Sequence, residues 1–276
     1  MENIQTIHTN EARVEAHYSQ ASPQDLAGAI LSRLGTQAPS VESLAPADEF
    51  HLRGLAATKE MAARLNLTPA TRVIDVGSGL GGPARWLAAT YGSQVTGIDL
   101  TEAFCIAAEA LTARLGLSDR VTFHKGSALE MPFADAAFDV AWTQHVAMNI
   151  ADKAGLYREI ARVLRPGGRL ALFDIMQGPG GDVTFPVPWA RIPEISELVP
   201  PAQVRAWLEA AGLVVEHWQE RTAEGLQFLY DKASEPKPPV GFDAFLGDDV
   251  PLMLRNVTRS LEEGRIVVYE AIARKA

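Results

Sequence analysis

One segment, RVIDVGSGLGGPAR (Arg72 to Arg85), constrains this chain more than any other. Its opening residues, RVIDV, read as a strand and run straight into the glycine cluster GSGLGG, from Gly77 to Gly82. Pro83 then stands at a favourable first helical position. Ala84, Leu87, Ala88 and Tyr91 recur at i, i+3, i+4 and i+7, and Gly92 is a natural stop. A strand, a glycine turn and a helix in that order let backbone N–H groups approach a ligand closely.

The alternation continues along the chain. QVTGIDL (Gln94 to Leu100), VTFHK (Val121 to Lys125), FDVAWT (Phe138 to Thr143) and RLALFDI (Arg169 to Ile175) are the next strands, followed by LVVEHW (Leu213 to Trp218) and RIVVYEAIA (Arg265 to Ala273). Helices are expected from a Thr101 cap to Gly116, from an Asp152 cap to Arg165, and over Val204 to Ala211. The second must stop at Arg165, because Pro166 and Gly167-Gly168 turn the chain. Crossovers of this length demand parallel strands with helices on both faces. The fold class is therefore α/β, a doubly wound, seven-stranded, mostly parallel sheet. Between the last two strands Pro236, Pro238 and Pro239 break any helix, so that pair reads as an antiparallel hairpin. Residues 1–70 carry no strand pattern and read as a helical cap or lid segment. Residues 71–276 form the ligand-binding domain, with a proline-rich insert over 176–200 expected to cover the substrate.

Charge and composition exclude several function classes. A net charge of −9 with no basic run disfavours nucleic acid as a partner. The lone cysteine, Cys105, forms no disulfide within the chain, and no stretch approaches the ~18 apolar residues of a membrane span. The polar N-terminus does not resemble a signal peptide, so a cytoplasmic location is expected. No Asp, His or Glu grouping has metal-ligand spacing, and oligomeric state is not legible.

The glycine loop alone leaves two cofactors open. Gly77, Gly79 and Gly82 fit GxGxxG, the pattern of an NAD-dependent oxidoreductase, while Gly77, Gly79 and Gly81 fit GxGxG. Asp99 stands 22 residues beyond Gly77, where either nucleotide places a ribose-binding carboxylate. Asp75 tips the balance, because a fixed negative charge suits a ligand with an ammonium and a sulfonium better than a pyrophosphate.

DVGSGLGGPAR (Asp75 to Arg85), GIDL (Gly97 to Leu100), KGSALEMPF (Lys125 to Phe133) and RVLRPGG (Arg162 to Gly168) together resemble the class I S-adenosylmethionine-dependent methyltransferases. GGPAR is similar to the sterol and tocopherol methyltransferase branch. DEFHLRG (Asp48 to Gly54) and FPVPWA (Phe185 to Ala190) resemble sarcosine/dimethylglycine and ubiquinone small-molecule methyltransferases. The resemblance implies a Rossmann-like sheet with an antiparallel last strand, S-adenosylmethionine as cofactor, S-adenosylhomocysteine as product, and a small-molecule acceptor methylated on nitrogen or carbon. A non-catalytic cofactor-binding protein is a further alternative.

The resemblance also assigns residues. The backbone of Gly77, Ser78, Gly79 and Gly81 would pass the methionine part, and Asp75 would lie near its ammonium. Asp99 would accept both ribose hydroxyls. Leu100 and Leu129 would sandwich the adenine, beside Ser127 and Ala128. Thr143 would end the fourth strand and Gln144 would lie just past it, with its backbone carbonyl toward the ammonium. Ser127 departs from the family, which often has Asp there; a serine accepts more weakly. From their positions His145 and Asn149 are candidates for handling the acceptor, His145 as the catalytic base, with Tyr18, His51 and Trp189 lining its pocket. Arg85 reads as a structural ion pair, and His124, His217 and Cys105 as structural or core residues.

Overall fold

Four helices precede the first strand: α1 (Glu2–Ser19), α2 (Leu26–Arg33), α3 (Val41–Asp48) and α4 (Leu55–Ala62). The computed structural model describes residues 2–19, 25–36 and 38–276, with side chains from Asn10 onward. Then come β1 (Arg72–Val76), α5 (Gly82–Tyr91), β2 (Gln94–Asp99), α6 (Glu102–Arg114), β3 (Val121–Lys125), β4 (Phe138–Gln144), α7 (Lys153–Val163) and β5 (Leu164–Gln177). The chain closes with α8 (Pro201–Ala210), β6 (Leu213–Glu220), α9 (Thr222–Ser234), α10 (Asp243–Leu246), α11 (Val250–Glu262) and β7 (Ile266–Lys275).

The sheet runs β3-β2-β1-β4-β5-β7-β6, with β7 antiparallel to both neighbours and the other pairs parallel. Successive side chains alternate between its faces. Val73, Val95, Trp142 and Phe173 pack on one face with Met61, Leu87 and Val257. Ile74, Ile98, Ala141 and Leu172 pack on the other with Leu156, Ile160 and Leu208. The central strands β1 and β4 are buried on both faces, as parallel strands inside such a sheet require.

Three expectations change. The connection between β6 and β7 is no hairpin: it holds α9, α10 and α11, and β7 enters between β5 and β6. Pro236, Pro238 and Pro239 lie between α9 and α10 rather than inside a helix, and Pro251 sits at the start of α11, where proline is tolerated. Helix α7 ends at Val163, and β5 begins at Leu164, upstream of the Pro-Gly-Gly turn, with an irregular register against β4. Asp152 caps α7 by accepting from the Gly155 N–H at 2.8 Å. Thr101 starts α6 without a side-chain cap bond.

Helix α3 is tied to α5 by buried charge. Arg85 of α5, fully buried, donates to Asp48 Oδ2 at 2.6 Å and to the Leu80 carbonyl at 2.6 Å. That is the structural ion pair expected of it. Burial pushes the Asp48 carboxyl up to about 6 while Arg85 pulls the other way. Removing one partner of such a pair strands the other. Arg85→Ala should therefore lower unfolding free energy by about 3–5 kcal/mol in urea titration.

Candidate cofactor and acceptor site

The glycine loop leaves the carboxyl end of β1 and folds back on β2. The N–H groups of Gly77 and Ser78 both donate to the Ile98 carbonyl, at 2.8 and 3.1 Å. Gly77 has φ +72°, and a Cβ there would come within 2.4 Å of a Val146 methyl. Gly79 (φ +52°) would meet nothing within 4 Å, because it borders a cavity. Its N–H donates to Asp99 Oδ2 at 2.8 Å, while the Thr101 N–H donates to Oδ1 at 2.8 Å. Burial raises the Asp99 pKa, and these two bonds oppose the rise.

Asp75 lies on β1 between Gly97 of β2 and Trp142 of β4. It is buried, lines the same cavity, and its Oδ2 has no hydrogen-bond partner. Burial first, then the charges of Glu49 and Asp99, push its carboxyl up to about 8 against the pull of Arg85. A hydrogen-bond donor is what this oxygen lacks, and a cationic donor would favour the charged carboxylate.

The cavity extends from the glycine loop in two directions. On one side Ile98, Leu100, Phe104, Ala128 and Leu129 make an apolar slot. Ser127 borders it, but its hydroxyl donates to Glu11 of α1 and accepts from the Leu129 N–H at 3.0 Å. Its proton is thus committed to Glu11.

On the other side Gln144, the last residue of β4, and His145 and Asn149 beyond it line the cavity with Tyr18, Phe50 and His51. His145 has φ +54°, its ring stacks on Phe173 at 5.3 Å, and its Nε2 has no partner. Burial, then the neighbouring His51, hold its pKa well below the usual histidine value. His51 is engaged at both nitrogens: Nδ1 faces the Leu52 carbonyl at 3.2 Å and Nε2 faces Glu49 Oε2 at 2.8 Å. Asn149 accepts from the Tyr18 hydroxyl at 2.9 Å and donates to the carbonyls of Trp189 (2.8 Å) and Ile195 (2.9 Å).

Three expected site residues lie elsewhere. Gly81 caps α5 and is packed so that a Cβ would meet the Phe123 ring at 2.4 Å. Thr143 is buried away from the cavity lining. Trp189 is a core residue whose indole N–H donates to Ser196 Oγ at 3.0 Å. Among the described residues the insert contributes none to the lining; it braces Asn149 from behind. Glu11, Asp48 and Glu49 belong to the neighbourhood and are not legible in sequence, because distant elements bring them in.

The chain is similar to known proteins in sequence and in fold. The chain is 31% identical over 204 residues to a 27-O-demethylrifamycin SV methyltransferase of Amycolatopsis mediterranei (strain S699), spanning 69% of this chain and 75% of that protein. A methyltransferase domain family matches residues 74–172. The chain belongs to the S-adenosylmethionine-dependent methyltransferases. It is 32% identical over 163 residues to a dimethylglycine N-methyltransferase of Parasynechococcus marenigrum (strain WH8102), covering 59% of this chain and 58% of that one. The chain spans 21–58% of the length of the first four curated relatives it matches. The fold is shared with geranyl diphosphate C-methyltransferase from Streptomyces coelicolor A3(2), solved with Mg2+, geranyl-S-thiolodiphosphate and S-adenosylhomocysteine. That likeness has a TM-score of 0.74 at 18% identity and covers 97% of this chain and 98% of that chain. The oxidoreductase alternative gains no support from these relatives.

The residues present fit the family's cofactor. An orphaned carboxylate oxygen at Asp75 meets the need of an ammonium, and the open face of Gly79 admits a ligand against backbone. Asp75, held near 8, is largely protonated at neutral pH. A ligand ammonium favours its charged form, so binding at pH 7 should release protons. Calorimetry of S-adenosylhomocysteine at pH 7 in phosphate and in Tris should give enthalpies that differ by the buffer's ionisation heat. Affinity should tighten toward pH 8, and Asp75→Asn should flatten both effects.

Proposed function

We propose that this chain transfers the methyl group of S-adenosylmethionine to a small-molecule acceptor and releases S-adenosylhomocysteine. The observation that carries the reading is the pair of carboxylates on either side of the glycine loop. Asp99 is held rigid by two backbone N–H groups and faces the cavity, while Asp75 presents an unpartnered buried oxygen. The first suits a vicinal diol, the second a cation. S-adenosylmethionine, when bound, supplies a methyl group already activated on a sulfonium.

The chain's own contribution is alignment, for which about 7–11 kcal/mol is available in favourable cases. Asp99 would accept from both ribose hydroxyls. Leu100, Ala128 and Leu129 would flank the adenine, with Ser127 at its edge. Gly77, Ser78 and Gly79 would pass under the methionine part, and Asp75 and the Gln144 carbonyl would face its ammonium. His145, Tyr18, His51 and Asn149 border the acceptor end.

Residues 1–70 act in this reading as a cap on the domain formed by 71–276. Support comes from α1, which bonds to the carboxyl ends of the strands at several points. Glu11 meets Ser127, Glu15 pairs with Lys125 at 3.0 Å, and Tyr18 meets Asn149. Asn10 reaches Glu197 at 3.1 Å and His17 the Pro188 carbonyl at 2.9 Å, so the insert braces the cap. A net charge of −9 supports a free small molecule rather than nucleic acid as partner, and one buried free cysteine supports a cytoplasmic setting. Among the described residues no helix is long and apolar enough to cross a membrane.

Titration calorimetry tests the cofactor. S-adenosylhomocysteine should bind in the micromolar range and NAD should not; the reverse result overturns the reading. Asp99→Asn should weaken S-adenosylhomocysteine about 100-fold, since hydrogen bonds to a charged acceptor contribute about 1.5–3 kcal/mol each. The cap is tested by amide hydrogen exchange. S-adenosylhomocysteine should slow exchange over residues 10–19 as well as at 75–82, and protection confined to the glycine loop would refute the cap.

A further inference from the structure

We propose that the methyl acceptor is an uncharged molecule presenting a hydroxyl group, a phenol, enol or alcohol, which the Gln144 side-chain amide orients and His145 deprotonates. The inference rests on the methyl-transfer reading above.

The first observation is the sign of the cavity wall. Glu11, Asp48, Asp75, Asp99 and Asp152 line it, and no Lys or Arg does among the described residues. The undescribed positions supply none either, since residues 1–9, 20–24 and 37 contain neither type. The buried guanidinium of Arg85 is engaged by Asp48 and by the Leu80 carbonyl. A carboxylate or phosphate on the acceptor would lose its water here and find no lining cation to pair with, which is strongly unfavourable.

The second observation is an oriented neutral donor. Gln144 is 8% exposed and lines the cavity. Its Oε1 accepts from the Trp142 indole at 2.8 Å, and the Thr58 hydroxyl lies 3.2 Å from the same oxygen. The amide is thereby fixed with Nε2 as its other end, and Nε2 is buried without a partner. An N–H donor that lacks an acceptor suits an oxygen lone pair. A protonated amine, with donors only, would leave it unsatisfied.

The third is the difference between the two cavity histidines. His51 is engaged at both nitrogens, whereas His145 retains a nitrogen without a partner. Its backbone is held by the bond from its N–H to the Phe173 carbonyl at 2.8 Å and its ring by the stack on Phe173. A left-handed φ at a non-glycine residue is costly and recurs at functional positions.

The step balances. The acceptor oxygen bonds to the methyl carbon of S-adenosylmethionine as the carbon–sulfur bond breaks, and that electron pair stays on sulfur. The hydroxyl proton passes to His145. The positive charge lost from the sulfonium reappears on the imidazole, so the net charge inside the carboxylate-lined cavity does not change.

The test uses the full chain with S-adenosylmethionine and a panel of phenols, enols and alcohols, catechol, 2-naphthol and geraniol among them. Each is paired with a counterpart bearing a carboxylate or phosphate, and dimethylglycine is included. Mass spectrometry should find O-methyl products, with kcat/KM at least tenfold higher for the uncharged member of each reactive pair. His145→Gln should lower kcat about 100-fold with S-adenosylhomocysteine affinity kept within about twofold, and Gln144→Leu should act mainly on KM. Equal rates for anionic members, methylation of nitrogen or carbon only, or no product from any uncharged hydroxyl compound overturns the proposal. Failure of the wild-type chain to bind S-adenosylhomocysteine overturns the methyl-transfer reading beneath it.

Discussion

The Asp99 carboxylate organises the rest of the site. One oxygen takes the Gly79 N–H and the other the Thr101 N–H, so a single side chain at the end of β2 joins the glycine loop to the start of α6. The loop needs that anchor, because its N–H groups point inward and a buried donor without a partner is costly. The same carboxylate faces the cavity, so its position is settled before any ligand arrives. Preorganisation of this kind removes ordering costs from binding.

Most of the sheet was legible because buried parallel strands are written as short apolar runs between glycine, proline and capping residues. RVIDV, VTFHK and Asp152 fall where the pattern places them. Pattern and fold part where prolines read as helix breakers. Those after Ser234 lie between helices, and Pro251 opens one, so both α9 and α11 are compatible with the prolines around them. In the site, the residues of the glycine loop and the end of β2 were legible, because local spacing sets them. Glu49 and Asp48 were not, since their role depends on α3 packing against α5, a contact that no local pattern encodes. Trp189 misled for the opposite reason: an aromatic in an irregular segment fits a pocket wall as well as a core, and here it is core.

Electrostatically the cavity is an unfinished structure. Buried carboxylates raise one another's pKa, and Asp75 shows the effect most clearly, with Glu49 and Asp99 adding to its burial. Such an arrangement is unfavourable for the chain alone and becomes favourable when a cation enters. Stability and recognition therefore pull against each other at the carboxyl end of β1, as expected of a functional centre.

Asn149 has a consequence that reaches beyond its own bonds. Its one planar amide accepts from Tyr18 in the first helix and donates to the carbonyls of Trp189 and Ile195 in the insert. A turn of that amide to follow either partner misaligns its bonds to the other. The first helix and the insert, far apart in sequence, therefore behave as one cooperative unit, and loosening either loosens both. Carbonyl groups that never reach the cavity thus help to fix the orientation of an amide that lines it.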